Sequence, residues 1–333
     1  MAKLLVTGGA GFIGSNFIHY WLSKHPKDSI VNLDKLTYAG HLENLAGLED
    51  NPRYTFVKGD ITNRADVDWA IKNVDAVVHF AAESHVDRSI EEPLEFIKTN
   101  VLGTGVLLDA ALRHGRKRFH HISTDEVYGE LRVKDLPFNE KSPLNPRSPY
   151  ASSKAASDLL VKTYYTAYGL PVTITNCANN YGPYQDVEKL IPRFITRLLS
   201  NKKVTLMSRG ENIRSWLAVI DHCRAVDIVL KKGKIGEIYC VGGEEKTNLQ
   251  ITQSILKILG KDKSWISFIW NRAVNDFRYA LDDSKIRKLG WKPKHNFEKR
   301  LKEAVEWYKK NEWWWKKPTL KQTLIDFKNT LWQ

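Results

Sequence analysis

Apolar residues arrive along the first half of this chain in short runs separated by longer periodic stretches. Lys3–Thr7 is a mostly apolar run that ends on Gly8. Residues 12–24 repeat apolar positions at helical spacing, and Ser29–Leu33 is apolar again and ends at Asp34. Tyr54–Val57, Ala76–Phe80, Arg118–Ser123 and Val172–Thr175 are further strand-like runs. Helical patterns separate them, the longest over about 92–114 and 149–168. This alternation predicts an α/β fold with a parallel, doubly wound sheet. After Asn180 the rhythm changes to segments punctuated by Pro and Gly, with helices expected near 189–200, 221–231, 248–259 and 297–310. No internal repeat interrupts the pattern.

A chain of 333 residues with 42% hydrophobic residues can bury one large α/β domain and a smaller lobe. No run of 18 apolar residues occurs, and the start MAKLLVTGG lacks a signal-peptide pattern, so a cytoplasmic protein without a membrane span is expected. Cys177, Cys223 and Cys240 have neither metal nor redox spacing; they read as small hydrophobes in a reducing compartment, and no metal is expected. The net charge is +13, and residues 281–333 carry 14 Lys and Arg against 7 Asp and Glu. That tail has two readings, a nucleic-acid patch or a solvated helix face beside an anionic-ligand site. Its basic residues alternate with Trp and Leu at helical spacing, which favours the second and argues against a nucleic-acid partner.

Gly8-x-x-Gly11-x-x-Gly14 follows a strand and opens a helix. Glycines there let the backbone approach a pyrophosphate, and the helix N-terminus offers amide donors and positive dipole. Asp34 falls 20 residues beyond Gly14, at the end of the second strand. A carboxylate there accepts hydrogen bonds from an adenosine ribose and repels a 2′-phosphate, so NAD is expected rather than NADP. Asp60 closes a third strand, where it either reaches the adenine or caps the helix after Ile61.

Tyr150 and Lys154 share one face of a helix at i, i+4. A lysine beside a tyrosine, with a nicotinamide ring nearby, favours the phenolate, which can act as base toward a sugar hydroxyl. The run Ser123-Thr124-Asp125-Glu126-Val127-Tyr128-Gly129 closes another strand. Ligands of open α/β sheets bind beyond such carboxyl ends, and two adjacent carboxylates there are costly to desolvate together. The bland reading is a helix N-terminus at which acids favour the dipole.

These runs resemble the extended short-chain dehydrogenase/reductase family, and within it the dTDP-glucose 4,6-dehydratases. The matching segments are TGGAGFIGS (7–15), LDKLTYAG (33–40), AAESHVDRSI (81–90), HHISTDEVYGE (120–130), SPYASSKAASD (148–158), NNYGPYQ (179–185), EKLIP (188–192), DHCRA (221–225), EKTNL (245–249) and RYALD (278–282). LGWKP (289–293) and NEWWW (311–315) fit as well. The resemblance covers essentially the whole chain, and STDEVYG is its discriminating run: related epimerases usually offer Ser or Thr where Asp125 stands, and related decarboxylases keep a Glu without the Asp.

The resemblance implies a Rossmann-type domain of residues 1–176 plus about 215–240, with a sugar-nucleotide lobe of 177–214 and 241–333. It implies NAD held by Gly8, Gly11, Phe12, Ile13, Gly14, Asp34, Lys35, Leu36, Thr37, Asp60, Ile61, Ala81, Ala82, Thr99, Tyr150, Lys154 and Asn180. It implies a nucleoside-diphosphate hexose held by Ser84, Thr124, Asn179, Lys189, Leu190, Met207, Arg214, Asn248, Arg272 and Asn275. Tyr150, tuned by Lys154, would deprotonate the C4 hydroxyl while Thr124 holds its oxygen. Glu126 would then remove the C5 proton, and Asp125 would protonate the departing C6 hydroxyl. Adjacent carboxylates suit this work because proximity pushes their pKa values apart. A homodimer through the helices near 92–114 and 149–168 and a place in deoxysugar biosynthesis, dTDP-rhamnose included, are also implied.

The nucleotide end departs from the family pattern. Met207 stands for the usual Tyr, Arg214-Ser215-Trp216 for Arg-Asp-Trp, and Ala218 and Ile220 for Tyr and Glu. Asn271-Arg272-Ala273-Val274-Asn275 replaces Asp-Arg-Pro-Gly-His, which removes a potential charge from the diphosphate site. Arg214 and Arg272 remain for bidentate phosphate contacts. The nucleobase, dTDP or UDP, therefore stays open. The rival readings are an epimerase or decarboxylase of the same family and a non-catalytic NAD- or RNA-binding protein. The Asp125–Glu126 pair argues against the first. Retention of Thr124, Asp125, Glu126, Tyr150 and Lys154 together argues against the second.

Overall fold

The computed structural model describes residues 1–269 and 276–316. Among them are twelve strands: β1 Lys3–Thr7, β2 Ser29–Asp34, β3 Tyr54–Lys58, β4 Ala76–His79, β5 Arg118–Thr124, β6 Val172–Cys177, β7 Asn179–Tyr181, β8 Val204–Met207, β9 Ile213–Ala218, β10 Ile238–Val241, β11 Glu244–Thr247 and β12 Ile266–Ile269. Seven form one sheet in the order β10-β6-β5-β4-β1-β2-β3, every pair parallel. The expected doubly wound sheet is thus present. Its order reverses between β1 and β4, and a ligand crevice opens at the carboxyl ends beside such a switch point.

Both faces of this sheet are covered. Helix Phe12–Lys24 lays Phe17, Ile18, Trp21 and Leu22 on one face, beside Val219, Cys223 and Val226 of helix Val219–Lys232. Val67, Leu107, Leu108, Ala111 and Val161, from three other helices, cover the opposite face. The longest of these helices, Pro149–Tyr168, has local bounds. Ser148 Oγ accepts from the Ala151 amide at 3.1 Å, Pro149 occupies the first turn, and Gly169 ends the helix with φ +67.

The helix expected over about 92–114 is present from Pro93 to Arg113, preceded by the short helix Val86–Glu91, but it is not regular: Pro93–Phe96 runs into a wide π-helical turn Ile97–Leu102 and on into helix Gly103–Arg113. The wide turn brings Asn100 inward, fully buried. Its carboxamide accepts from the Glu83 amide at 2.8 Å and donates to the Glu83 carbonyl at 3.0 Å and Ser153 Oγ at 2.8 Å. Three bonds to a buried amide outweigh one irregular turn.

A second core lies beyond the sheet. Ile191, Phe194 and Leu198 meet Ile251 and Ile255, Leu301, Val305 and Tyr308, around β8 and β9. The three-stranded β11-β9-β7 and the pair β12-β8 belong here. Trp314 is buried in the same cluster, and its indole donates to Asn44 Oδ1 at 2.7 Å, tying the end of the described chain to the first half. Among the described residues no helix is long and apolar enough to cross a membrane.

Candidate active site

One cavity of about 610 Å³ runs along the carboxyl ends of the strands. It gathers Gly8, Gly11, Phe12, Ile13, Gly14, Asp34, Lys35, Thr37, Asp60, Ile61, Ala81, Ala82, Thr99 and Asn180 with Ser84, Thr124, Asp125, Glu126, Tyr150, Lys154, Asn179 and Lys189. Leu36 alone of the expected cofactor set is absent from its lining. The volume falls in the range of small-molecule sites.

The glycine loop is a cradle that side chains would fill. Gly8 has φ +70, and a Cβ on it would lie 2.6 Å from the Ala81 backbone across the switch point. A Cβ on Gly14 would lie 2.3 Å from the Gly8 carbonyl. Gly11 begins helix Phe12–Lys24 without a side-chain cap, which leaves first-turn amides for a ligand. Asp34 accepts the Ala10 amide on one oxygen and the Leu36 amide on the other, each at 2.8 Å. Burial raises its carboxyl, and the two amides work against that. Each oxygen keeps a second lone pair for a ribose hydroxyl. The residues present therefore fit a dinucleotide.

Asp60 is not a helix cap. Asn63 Oδ1 caps Arg64–Ala70, accepting from the Ala65 amide at 2.9 Å. Asp60 takes the Thr62 amide at 2.9 Å and pairs with Lys35 Nζ at 2.8 Å. Burial pushes its carboxyl up, and Lys35 and Thr62 outweigh that and hold it below its ordinary value.

At the other end β5 delivers Thr124, and the next two residues begin a single 3-10 turn, Asp125–Tyr128, in which the Glu126 amide donates to the Thr124 hydroxyl. The dipole of one turn is small, so it does not account for two acids there. Asp125 is 1% exposed, and its Oδ2 has no hydrogen-bond partner among the described residues. Burial first, and then Glu126, push its carboxyl up to about 8; Arg214 and the Thr124 hydroxyl, 3.3 Å from Oδ1, work against them. A carboxyl in this state is protonated at neutral pH and can donate.

Burial raises the Tyr150 hydroxyl well above its ordinary value, Glu126 adds to the rise, and a hydrogen bond with Thr124 opposes it. Lys154 is buried, and its ammonium donates to the Ile122 carbonyl at 2.8 Å and lies 3.3 Å from His121 Nε2. Burial brings Lys154 down to about 8, so its support of a phenolate is partial. Further positive charge beside Tyr150 is required for a phenolate.

The expected substrate residues are only partly brought together. Arg214 lies in a small adjoining cavity with Glu126, Asn179, Ser148, Asp276 and Tyr279. Its guanidinium stands 4.5 Å from the Tyr279 ring centre and donates to the carbonyls of Ile213, Asp276 and Phe277. Leu190, Met207 and Asn248 line neither cavity: Leu190 packs against the second core, Met207 ends β8, and Asn248 begins a helix. Arg272 and Asn275 lie outside the described residues.

The cavity wall also holds a group that sequence reasoning missed. Arg88 stacks over Tyr38 at 3.9 Å and reaches Glu188 at 3.4 Å, and His85 lies 3.2 Å from the same carboxylate. Tyr38 and Glu188 come from two loops, and His85 and Arg88 from the cap and body of helix Val86–Glu91. Their signal was their presence in LDKLTYAG, AAESHVDRSI and EKLIP.

A family model described as GDP-mannose 4,6 dehydratase matches residues 5–304. A Mycobacterium tuberculosis protein named dTDP-glucose 4,6-dehydratase is 48% identical over 318 residues, 94% of this chain and 95% of that protein. This chain belongs to the sugar-nucleotide dehydratases of the extended short-chain dehydrogenase/reductase family. DesIV from Streptomyces venezuelae, a dTDP-glucose 4,6-dehydratase crystallised with NAD and TYD bound, superposes with a TM-score of 0.92 at 48% identity, covering 95% of this chain and 99% of that one. The Thermotoga maritima UDP-glucose 4-epimerase, solved with UDP-glucose, superposes at 0.86 with 31% identity, covering 93% and 99%. Dehydratase and epimerase thus share this fold, and the reaction has to be argued from the site.

Proposed function

We propose that this chain is an NAD-dependent dTDP-glucose 4,6-dehydratase, forming dTDP-4-keto-6-deoxyglucose and water. The carrying observation is the buried Asp125, held protonated beside Glu126 at the end of β5, in one cavity with Tyr150 and the glycine cradle. An acid and a base side by side is what elimination across C5 and C6 requires. Tyr150 takes the C4 hydroxyl proton while Thr124 holds the oxygen. Glu126 takes the C5 proton, which is acidic only after C4 is a ketone. Asp125 gives its proton to the departing C6 hydroxyl. NAD, when bound, supplies the hydride acceptor at C4, the hydride for C6 and positive charge near Tyr150. Gly8, Gly11 and Gly14 receive its pyrophosphate and Asp34 its ribose.

The first core, with β10 and helix Val219–Lys232, holds the cofactor, and residues 177–214 and 241–333 receive the sugar nucleotide. Met207 lines neither cavity, and the expectation that UDP-glucose competes rests on the sequence departures at Met207 and Asn275: dTDP- and UDP-glucose should differ by about 1–3 kcal/mol or less in kcat/KM. The protein acts as a homodimer: Leu94, Ile97, Leu102, Leu159 and Tyr168 stand exposed on the two helical segments expected at its interface. Three buried free cysteines suit the cytoplasm. Mass spectrometry of the product from each sugar nucleotide tests the proposal. Loss of 18 mass units supports it; an isomer of unchanged mass refutes it in favour of an epimerase.

A further inference from the structure

Behind Lys154, away from the cavity, lies a polar group that the proposed chemistry does not use. Asp158 is one turn further along the same helix and 2% exposed. Its Oδ2 accepts from Ser123 Oγ at 2.9 Å and Asn176 Nδ2 at 3.1 Å, so β5 and β6 both hold it. Its Oδ1 makes no hydrogen bond among the described residues and lies 3.4 Å from His121 Nε2. That same nitrogen is 3.3 Å from Lys154 Nζ. The imidazole therefore stands between a carboxylate and an ammonium. With its proton on Nδ1 it accepts from Lys154; with its proton on Nε2 it turns an N–H toward the Asp158 carboxylate 3.4 Å away, without a hydrogen bond to it.

A carboxylate this deep is expensive unless it compensates another charge. The groups that face the cluster are few. His79 on β4 lies ring to ring with His121 at 5.2 Å, and burial keeps both imidazoles neutral. Cys177 on β6 is held as a thiol by burial, and Tyr128 as a phenol. Lys162 acts on Asp158 from further along the helix. Among the described residues Lys154 is then the one buried cation against it, and Asp158 acts to keep that lysine charged.

Resting on the reading of Tyr150 and Lys154 given above, we infer that Asp158 is a positioning residue for C4 oxidation: a buried counter-ion that acts across His121 to keep the Lys154 ammonium charged behind Tyr150. Asp158→Asn is nearly isosteric. Its amide oxygen can still accept from Ser123 and Asn176, while its NH2 donates to His121 Nε2, so the charge is lost and the packing kept.

The direct test is lysine 13Cε NMR on the cofactor-free full chain, with the Lys154 resonance assigned by its loss in Lys154→Arg. The titration midpoint of Lys154 should fall by about one pH unit or more in Asp158→Asn, as removal of an adjacent opposite charge requires. An unchanged midpoint overturns the inference. The kinetic test uses dTDP-glucose and NAD in a Glu126→Gln background, in which NADH should accumulate. Adding Asp158→Asn should slow NADH appearance about tenfold on the alkaline side and little at low pH, with KM for dTDP-glucose unchanged. A uniform loss at every pH, as a structural role gives, overturns it. Absence of NADH in Glu126→Gln alone instead refutes the reading on which the inference rests. If Asp158→Asn does not fold, Asp158→Ser removes the same charge from a smaller side chain and carries the same expectations.

Discussion

Replacing Asp125 by Asn should make the protein more stable and far less active, and the gain in stability should depend on pH. Asp125 is 1% exposed, and burial and Glu126 move its carboxyl from 3.8 to about 8. An unfolded chain ionises this group above about 4, whereas the folded chain keeps it protonated to about 8. Between those values the folded state binds the extra proton, so stability falls as pH rises and the loss is complete above about 8. At about 1.4 kcal/mol per pH unit the full cost is on the order of 5 kcal/mol. Part of it is repulsion shared with Glu126, so a gain of about 2–5 kcal/mol is expected for Asn at pH 8, and almost none at pH 4. Thermal midpoints of the two chains, measured without cofactor from pH 4 to 8.5, should diverge by roughly 5 °C or more at the upper end. In the same variant loss of water should slow about 10²–10⁴-fold, the worth of a positioned acid, while C5 continues to exchange with deuterated solvent. Midpoints that run parallel across the whole pH range would refute the claim that Asp125 is a neutral acid at work.

The remaining predictions concern the other groups. Glu126→Gln should accumulate NADH with dTDP-glucose and show no solvent exchange at C5, whereas Tyr150→Phe should form no NADH; exchange at the wild-type rate in Glu126→Gln would place the base elsewhere. Elimination by the unaltered chain should decline as pH rises through about 8, because Asp125 loses the proton it must donate, and stopped-flow rates across pH 6.5–9.5 would read this. The purified chain should release NAD rather than NADP on denaturation, and Asp34→Ala should relax that preference in binding assays. Gly14→Ala should cost about 1–3 kcal/mol and abolish cofactor retention, since its Cβ would meet the Gly8 carbonyl at 2.3 Å; a stable variant that keeps NAD contradicts the packing argument.

What the sequence determined by itself is local chemistry. Strand, glycine turn and helix from Lys3 to Lys24 follow from residues adjacent in the chain, and so does the arrival of Asp34 at the end of the next strand. Ser148, Pro149 and Gly169 set the bounds of the helix that carries Tyr150 and Lys154, because caps act within one turn. The run from Thr124 to Glu126 was recognisable as a site for the same reason, a pattern confined to a few residues. Tertiary structure decided what depends on distant partners. The wide turn at Ile97–Leu102 exists because Asn100 meets Glu83 and Ser153, a pairing that helical periodicity does not encode. Arg214 lies among backbone carbonyls in a side cavity because β9 and the segment near Asp276 converge there. The protonation of Asp125 and Tyr150, and the line from Asp158 through His121 to Lys154, arise from burial by several strands at once. Desolvation is a sum over everything that excludes water from an atom, and most of those neighbours are remote in sequence.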